Sequence, residues 1–163
     1  MFVLGIDPGL TTTGYGVVVR TADGPRLRTV GVIRTAVADP IEQRLLELHA
    51  DLAEVISEHR PDAVAIEQVF TNRNLQTSIA VGRASGVALL AAAAAGLGVH
   101  EYTPTQVKSA VAGYGRADKG QVQRMVMQRL SLTEVPKPAD AADALAVALC
   151  HLQAYRLAAQ VPK

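Results

Sequence analysis

The chain has 163 residues, 49% of them hydrophobic and 19% charged, which suits one domain with a full apolar core and excludes general disorder. Its single cysteine, Cys150, excludes a disulfide scaffold and a cysteine-based zinc site, and makes a reducing, cytoplasmic setting the default. The net charge is only +1, but residues 68–129 carry +5 and the remainder −4, so a neutral protein can still present a basic face.

In chain order, residues 2–7 (FVLGID) read as a short apolar strand ending in a carboxylate, broken by Pro8-Gly9. This opening has no basic segment and does not read as a signal peptide. Residues 15–20 and 27–35 supply two more strands across a turn at 21–24, giving an antiparallel meander. Asp39-Pro40-Ile41-Glu42 reads as a helix start, with Asp39 as N-cap and Pro40 at the first helical position. Ile41, Leu45, Leu48, Leu52, Val55 and Ile56 then recur at helical spacing opposite a solvated acidic face.

Residues 62–67 (DAVAIE) read as a buried strand, again ending in a carboxylate. A long helix follows over about 74–95. It has small residues four apart at Ser78, Gly82 and Gly86, and a second row at Ala80, Ala84 and Ala88. These rows suit either packing on the chain's own sheet or a helix–helix contact between subunits. The uncharged run 84–99 is mostly Ala and Gly and too short for a bilayer span of about 20 residues, so no membrane partner is expected. A fifth strand covers 99–102, and Thr103-Pro104-Thr105-Gln106 is a capping box that opens a helix closed by Gly113-Tyr114-Gly115. Asp118 and Gln121 frame the next helix, to about 130, and Pro136-Lys137-Pro138 leads into the last, over about 139–157. The expected fold is α/β, a five-stranded mixed sheet in which the meander is joined to parallel strands through helical crossovers.

Asp7 and Glu67 each end an apolar, hence central, strand, so both can project from one end of one sheet. Asp140 and Asp143, three apart at the start of the last helix, share a face among alanines that leave room for close approach. Singly, each has an ordinary explanation as a turn residue, a strand end or a helix N-terminal acid. Together, four converging carboxylates repel one another unless a cation is present, and their use is to bind hard cations through oxygen. Two Mg²⁺ ions about 3.5–4 Å apart can stabilise the attacking and leaving oxygens of a phosphoryl transfer. Competing chemistries are poorly supplied. His49, His59, His100 and His151 show no metal-ligand spacing, no Walker or dinucleotide loop is present, and Cys150 sits in an apolar run that suits packing.

Gly5-Ile6-Asp7-Pro8-Gly9 with Thr13-Gly14-Tyr15-Gly16 resembles the opening of the RuvC Holliday-junction resolvases. Ala65-Ile66-Glu67-Gln68-Val69-Phe70, Tyr102-Thr103-Pro104 leading to Val107-Lys108, Lys119-Gly120-Gln121-Val122-Gln123 and Asp140-Ala141-Ala142-Asp143-Ala144-Leu145-Ala146 follow in that family's order. The resemblance implies a single ribonuclease H-like nuclease domain over 1–163, acting as a homodimer that cuts four-way DNA junctions with Mg²⁺, for which Mn²⁺ substitutes. It implies that Asp7, Glu67, Asp140 and Asp143 are the metal-binding catalytic residues. Phe70 would contact bases near the junction centre, Lys108 and Lys119 would lie near the scissile phosphate, and Arg73 would join Phe70 as a DNA contact. A branch-migration complex is the implied partner, and 5′-phosphate and 3′-hydroxyl ends the implied products. The longer basic tail of some members is not seen after the last helix, so the resemblance does not extend to a DNA contact from the C-terminus, while the chemistry it implies is unaffected. Two other readings stand beside this one. The first is a ribonuclease H-like nuclease acting on another nucleic acid. The second is a relative of actin-like ATPases, suggested by Gly5-Ile6-Asp7, Gly9 and Thr11-Thr12-Thr13, although that class needs two such domains.

Overall fold

In a computed structural model, which describes residues 1–68 and 74–160, five strands form one sheet in the order β3-β2-β1-β4-β5. The strands are β1 (Phe2–Asp7), β2 (Thr12–Thr21), β3 (Gly24–Arg34), β4 (Ala63–Glu67) and β5 (Gly98–Tyr102). β1, β2 and β3 pair antiparallel, and β4 and β5 add parallel to β1. The helices are α1 (Ile41–His59), α2 (Leu75–Ala94), α3 (Pro104–Ala112), α4 (Lys119–Arg129) and α5 (Ala139–Gln160). This is the mixed, helix-flanked sheet expected, with the ribonuclease H-like order of elements. β1 is its centre, as an apolar strand buried on both faces demands.

Alternation along β1 and β4 divides the core in two. Val3 and Ala65 face α3, α4 and α5, where Val107, Val126, Leu145 and Ala148 close over them. Leu4, Ile6, Val64 and Ile66 face the other way, onto Leu48, Leu52, Ala84 and Ala88 of α1 and α2. Because side chains alternate with period two, Asp7 and Glu67 fall on the same face as Val3 and Ala65, that of α5.

The capping boxes form as expected. Thr103 accepts from the Gln106 amide at 3.1 Å, and Asp118 from the Gln121 amide at 2.8 Å, each with the glutamine side chain returning the bond. The start of α1 differs from the sequence expectation. Pro40, with ψ 145, is itself the N-cap, and no side chain caps the helix. Its extended ψ moves the first helical residue to Ile41, and its carbonyl takes the amides of Gln43 and Arg44. Asp62 precedes β4 rather than opening it, and its carboxylate accepts from the Phe2 amide at 2.6 Å.

α2, by length and composition alone, would reach across a bilayer. Here it is laid on the sheet through Ala84, Ser85, Ala88, Ala91 and Ala92. Gly82 and Gly86 lie off that face: among the described residues, a Cβ at either would meet nothing within 4 Å. Cys150 is buried, and burial pushes its thiol up to about 11, which suits packing.

Candidate active site

β1 and β4 run parallel with Ile6 beside Ile66, so Asp7 and Glu67 leave adjacent strands at the same end and on the same face. On the other side of β1, Asp7 is in register with Gly14 of β2. A Cβ at Gly14 would overlap the Asp140 carbonyl oxygen, and one at Gly5 would overlap the Ala144 carbonyl oxygen. Glycine at both places lets the α5 backbone lie directly on the sheet, which carries Asp140 and Asp143 to the strand ends. Their position in the opening turns of α5 is favourable for negative charge.

The four carboxylates act on one another. Burial pushes the Asp7 carboxyl up to about 8, and Glu67, Asp143 and Asp140 in that order add to the effect. Glu67 is also raised, by burial first and then by Asp143, while a hydrogen bond with the Asp7 side chain works against the rise. The two carboxyls thus share a hydrogen bond while burial disfavours ionising both. Lys119, the first residue of α4, lies 2.7 Å from Asp143 and lowers the pKa of both Asp7 and Glu67. Its own pKa is raised, chiefly by the bond to Asp143. Lys119 is 59% exposed, so its value lies in local charge balance rather than fold stability. Lys108, half-buried on α3, also lowers the pKa of Glu67.

The structure thus gathers Asp7, Glu67, Asp140, Asp143, Lys108 and Lys119 at one end of the sheet, all carried by separate elements except the α5 pair. Phe70 and Arg73 lie outside the described residues. Among the described residues, no three His, Cys, Asp or Glu side chains are drawn tightly enough to enclose an ion as they stand. Every donor at the centre is nevertheless a carboxylate oxygen, a set suited to hard cations and unsuited to soft ones.

The turn after Asp7 is fixed by residues whose part in it has no signal in the sequence. Thr13, 1% exposed, donates from its hydroxyl to the Gly9 carbonyl at 2.6 Å. Thr35 donates to the Leu10 carbonyl at 2.6 Å, and Arg44 of α1 donates to the hydroxyls of both Thr35 and Thr11. Arg44 was visible as a lone cation in the row Ile41, Arg44, Leu48, Leu52, but a charged residue there reads as solvated until its burial is seen. The packing role of Gly14 and Gly5 had no signal beyond glycine inside a strand.

Residues 3–151 match the family described as crossover junction endodeoxyribonuclease RuvC. The RuvC of Syntrophomonas wolfei is 52% identical over 157 residues, 96% of this chain and 91% of that protein. The RuvC of Chloroflexus aggregans is 52% identical over 151 residues, 93% of this chain and 92% of that protein. The solved structure of Thermus thermophilus RuvC in complex with Holliday junction substrate superposes with a TM-score of 0.91 at 44% identity, covering 97% of this chain and 96% of that one. The yeast mitochondrial Holliday junction resolvase Ydc2, at 14% identity and a TM-score of 0.69 over 93% of this chain and 78% of that one, shares the fold. Identity of this order, sustained from the first strand to the last helix, means that the chain belongs to the RuvC family of crossover junction endodeoxyribonucleases.

Proposed function

We propose that Asp7, Glu67, Asp140 and Asp143 are the catalytic centre with which this RuvC-family endonuclease cuts four-way DNA junctions by paired symmetric incisions, with Mg²⁺ held on their oxygens. The observation that carries this reading is the convergence of four carboxylates at one end of the sheet, Asp7 and Glu67 from adjacent parallel strands and Asp140 and Asp143 from the helix that Gly5 and Gly14 admit onto them, where burial and the neighbouring carboxylates push the Asp7 carboxyl up. Such a cluster destabilises the metal-free protein and is relieved by cations. Lys119, at 2.7 Å from Asp143, is a cation already drawn to it.

Bound Mg²⁺ would neutralise charge at the scissile phosphate and activate a water for in-line attack. The chain's own groups do the rest. Asp7, Glu67, Asp140 and Asp143 would hold the cation through their ionised carboxylates. Lys119 and Lys108 hold the flanking phosphates as point charges. Phe70 stacks on a base at the crossover and Arg73 takes a neighbouring phosphate. The products carry 5′-phosphate and 3′-hydroxyl ends. The whole of residues 1–163 acts as one nuclease domain, in the cytoplasm, handed its junctions by a branch-migration complex.

A junction has two strands to cut symmetrically, and a two-fold homodimer supplies two equivalent centres. The outer face of α2 supports this reading. Leu75, Ile79 and Leu90 are exposed on either side of Gly82 and Gly86, where a Cβ would meet nothing within 4 Å among the described residues. A Gly86→Trp protein should therefore keep its melting temperature yet sediment as a monomer and lose paired incision. Wild type sedimenting as a monomer at micromolar concentration removes the dimer.

The deciding experiment compares labelled four-way junction, linear duplex and RNA–DNA hybrid, with and without Mg²⁺, for wild type and for Asp7→Asn, Glu67→Gln, Asp140→Asn and Asp143→Asn. Wild type should cut only the junction and only with metal. Each variant should fall to background while still binding the junction. Cutting near the wild-type rate removes that residue from the centre, and preferred cutting of the hybrid overturns the substrate.

A further inference from the structure

Arg44 is an unusual residue for its place. It belongs to α1, on the face of the sheet opposite α5, and is 9% exposed. Among the described residues it makes no ion pair. Its acceptors are two hydroxyls, Thr35 Oγ1 at 2.9 Å from Nε and Thr11 Oγ1 at 3.0 Å from Nη2. A buried guanidinium without a carboxylate costs desolvation that two neutral acceptors offset only in part. An apolar side chain would complete the α1 stripe without that penalty.

The contacts of those hydroxyls show what is held. Thr35 Oγ1 donates to the Leu10 carbonyl at 2.6 Å, and the Thr35 amide donates to the Thr11 carbonyl at 3.2 Å. Thr13 closes the same turn from within through Gly9. Arg44, Thr35 and Thr11 thus tie the exit of β3 and the start of α1 to residues 10–11, three and four positions beyond Asp7. Arg44 makes no bond to a carboxylate among the described residues, so what it holds is the turn itself.

We infer that Arg44 is a positioning residue of this nuclease: by clamping the hydroxyls of Thr35 and Thr11 it fixes the turn that aims the Asp7 carboxylate at the cation site. The inference rests on the reading of Asp7 as a ligand. A guanidinium suits the task because its planar fork fixes the spacing and direction of two acceptors, which the compact, rotatable ammonium of a lysine does not.

The test compares wild type, Arg44→Met, Arg44→Lys, Thr35→Val and Asp7→Asn. The readouts are thermal melting, junction binding without metal, single-turnover cleavage against Mg²⁺ concentration, and amide hydrogen exchange. Arg44→Met keeps the aliphatic stem and should bind junctions within about twofold of wild type. Its cleavage at limiting Mg²⁺ should drop at least about tenfold, with partial recovery at high Mg²⁺, as expected for loss of support behind a metal ligand. Amides of residues 10–12 should exchange faster while those of β1 and β4 keep their protection. Arg44→Lys should lie between the two. Thr35→Val should reproduce the Mg²⁺ shift, and it decides the matter if Arg44→Met does not fold. Wild-type Mg²⁺ dependence in the folded variants overturns the inference. So does a loss of protection spread over the whole sheet, which would make Arg44 a packing residue only. Cleavage by Asp7→Asn at the wild-type rate would instead remove the reading of the centre itself.

Discussion

The proton on Asp7 gives a measurable slope to the stability of the metal-free protein. In the unfolded chain this carboxyl titrates near 3.8, and in the native protein burial and the neighbouring carboxylates hold it to about 8. Between those values the native state binds a proton that the unfolded state has released. Stability therefore falls as pH rises through that window and levels off above about 8. The limiting slope for one proton is about 1.4 kcal/mol per pH unit, so over the window the effect reaches a few kcal/mol. That is a large share of the 5–15 kcal/mol typical of a whole domain. Asp7→Asn keeps the shape and cannot ionise. In EDTA its advantage over wild type should widen from under about 2 kcal/mol near pH 5 to several kcal/mol at pH 8.5 by urea or thermal melting. Glu67, raised in the same direction, leaves a smaller residual slope in the variant. Loading wild type with Mg²⁺ at pH 7 should release close to one proton, seen as a dependence of calorimetric enthalpy on the buffer. Parallel stability curves for wild type and Asp7→Asn from pH 5 to 8.5 would refute the argument.

Three further outcomes follow from the packing and charge at the site. Gly14→Ala should push α5 off β2, because the new Cβ meets the Asp140 carbonyl; an overpacking penalty of about 1–3 kcal/mol should appear in urea melts, with cleavage falling more than junction binding. Lys119→Met removes the cation from Asp143, so the cleavage–pH profile should move to higher pH and the rate at pH 7 should fall roughly 100-fold; an unchanged profile would separate Lys119 from the carboxylates. Phe70→Ala should melt within a few degrees of wild type and lose most junction cutting, partly recovered on a junction already opened by an unpaired thymine, since stacking is worth about 1–3 kcal/mol per base.

Much of this architecture could be read from the sequence because its signals are local. Thr103 and Gln106, like Asp118 and Gln121, are three apart and bond within one turn of helix, so spacing alone announces them. The position of Asp7 and Glu67 at strand ends was legible because the preceding residues are uniformly apolar. What brings them together was not. The neighbour relation depends on β4 pairing with β1 across some sixty residues, and the contribution of α5 depends on Gly5 and Gly14, whose lack of a side chain has meaning only when α5 lies above them. The start of α1 was misread by one position for a local reason. Asp39-Pro40 carries the signature of an N-cap followed by a first helical residue, and only the ψ of 145 shows that Pro40 stands outside the helix.

Arg44 shows why charge is the hardest feature to read from one sequence. Residues of α1 spaced for the core predict burial, whereas arginine predicts exposure, and the pattern gives no way to choose. The structure resolves the conflict by providing hydroxyls rather than a carboxylate, and those hydroxyls come from Thr11 and Thr35, on separate connections. The same holds in reverse for the carboxylates. An ordinary cluster of acids would gather lysines and arginines until its charge was balanced, and here Lys119 makes the one ion pair to a site carboxylate among the described residues. The two imbalances are of opposite sign and lie on opposite sides of the Asp7 turn. Neither helps the metal-free protein to fold. On the reading proposed above, each has a use once the turn must hold a carboxylate steady against an incoming cation: the acids would supply the affinity, and the guanidinium, bonded among the described residues to neutral hydroxyls, would supply the fixed frame without an anion that competes for the metal.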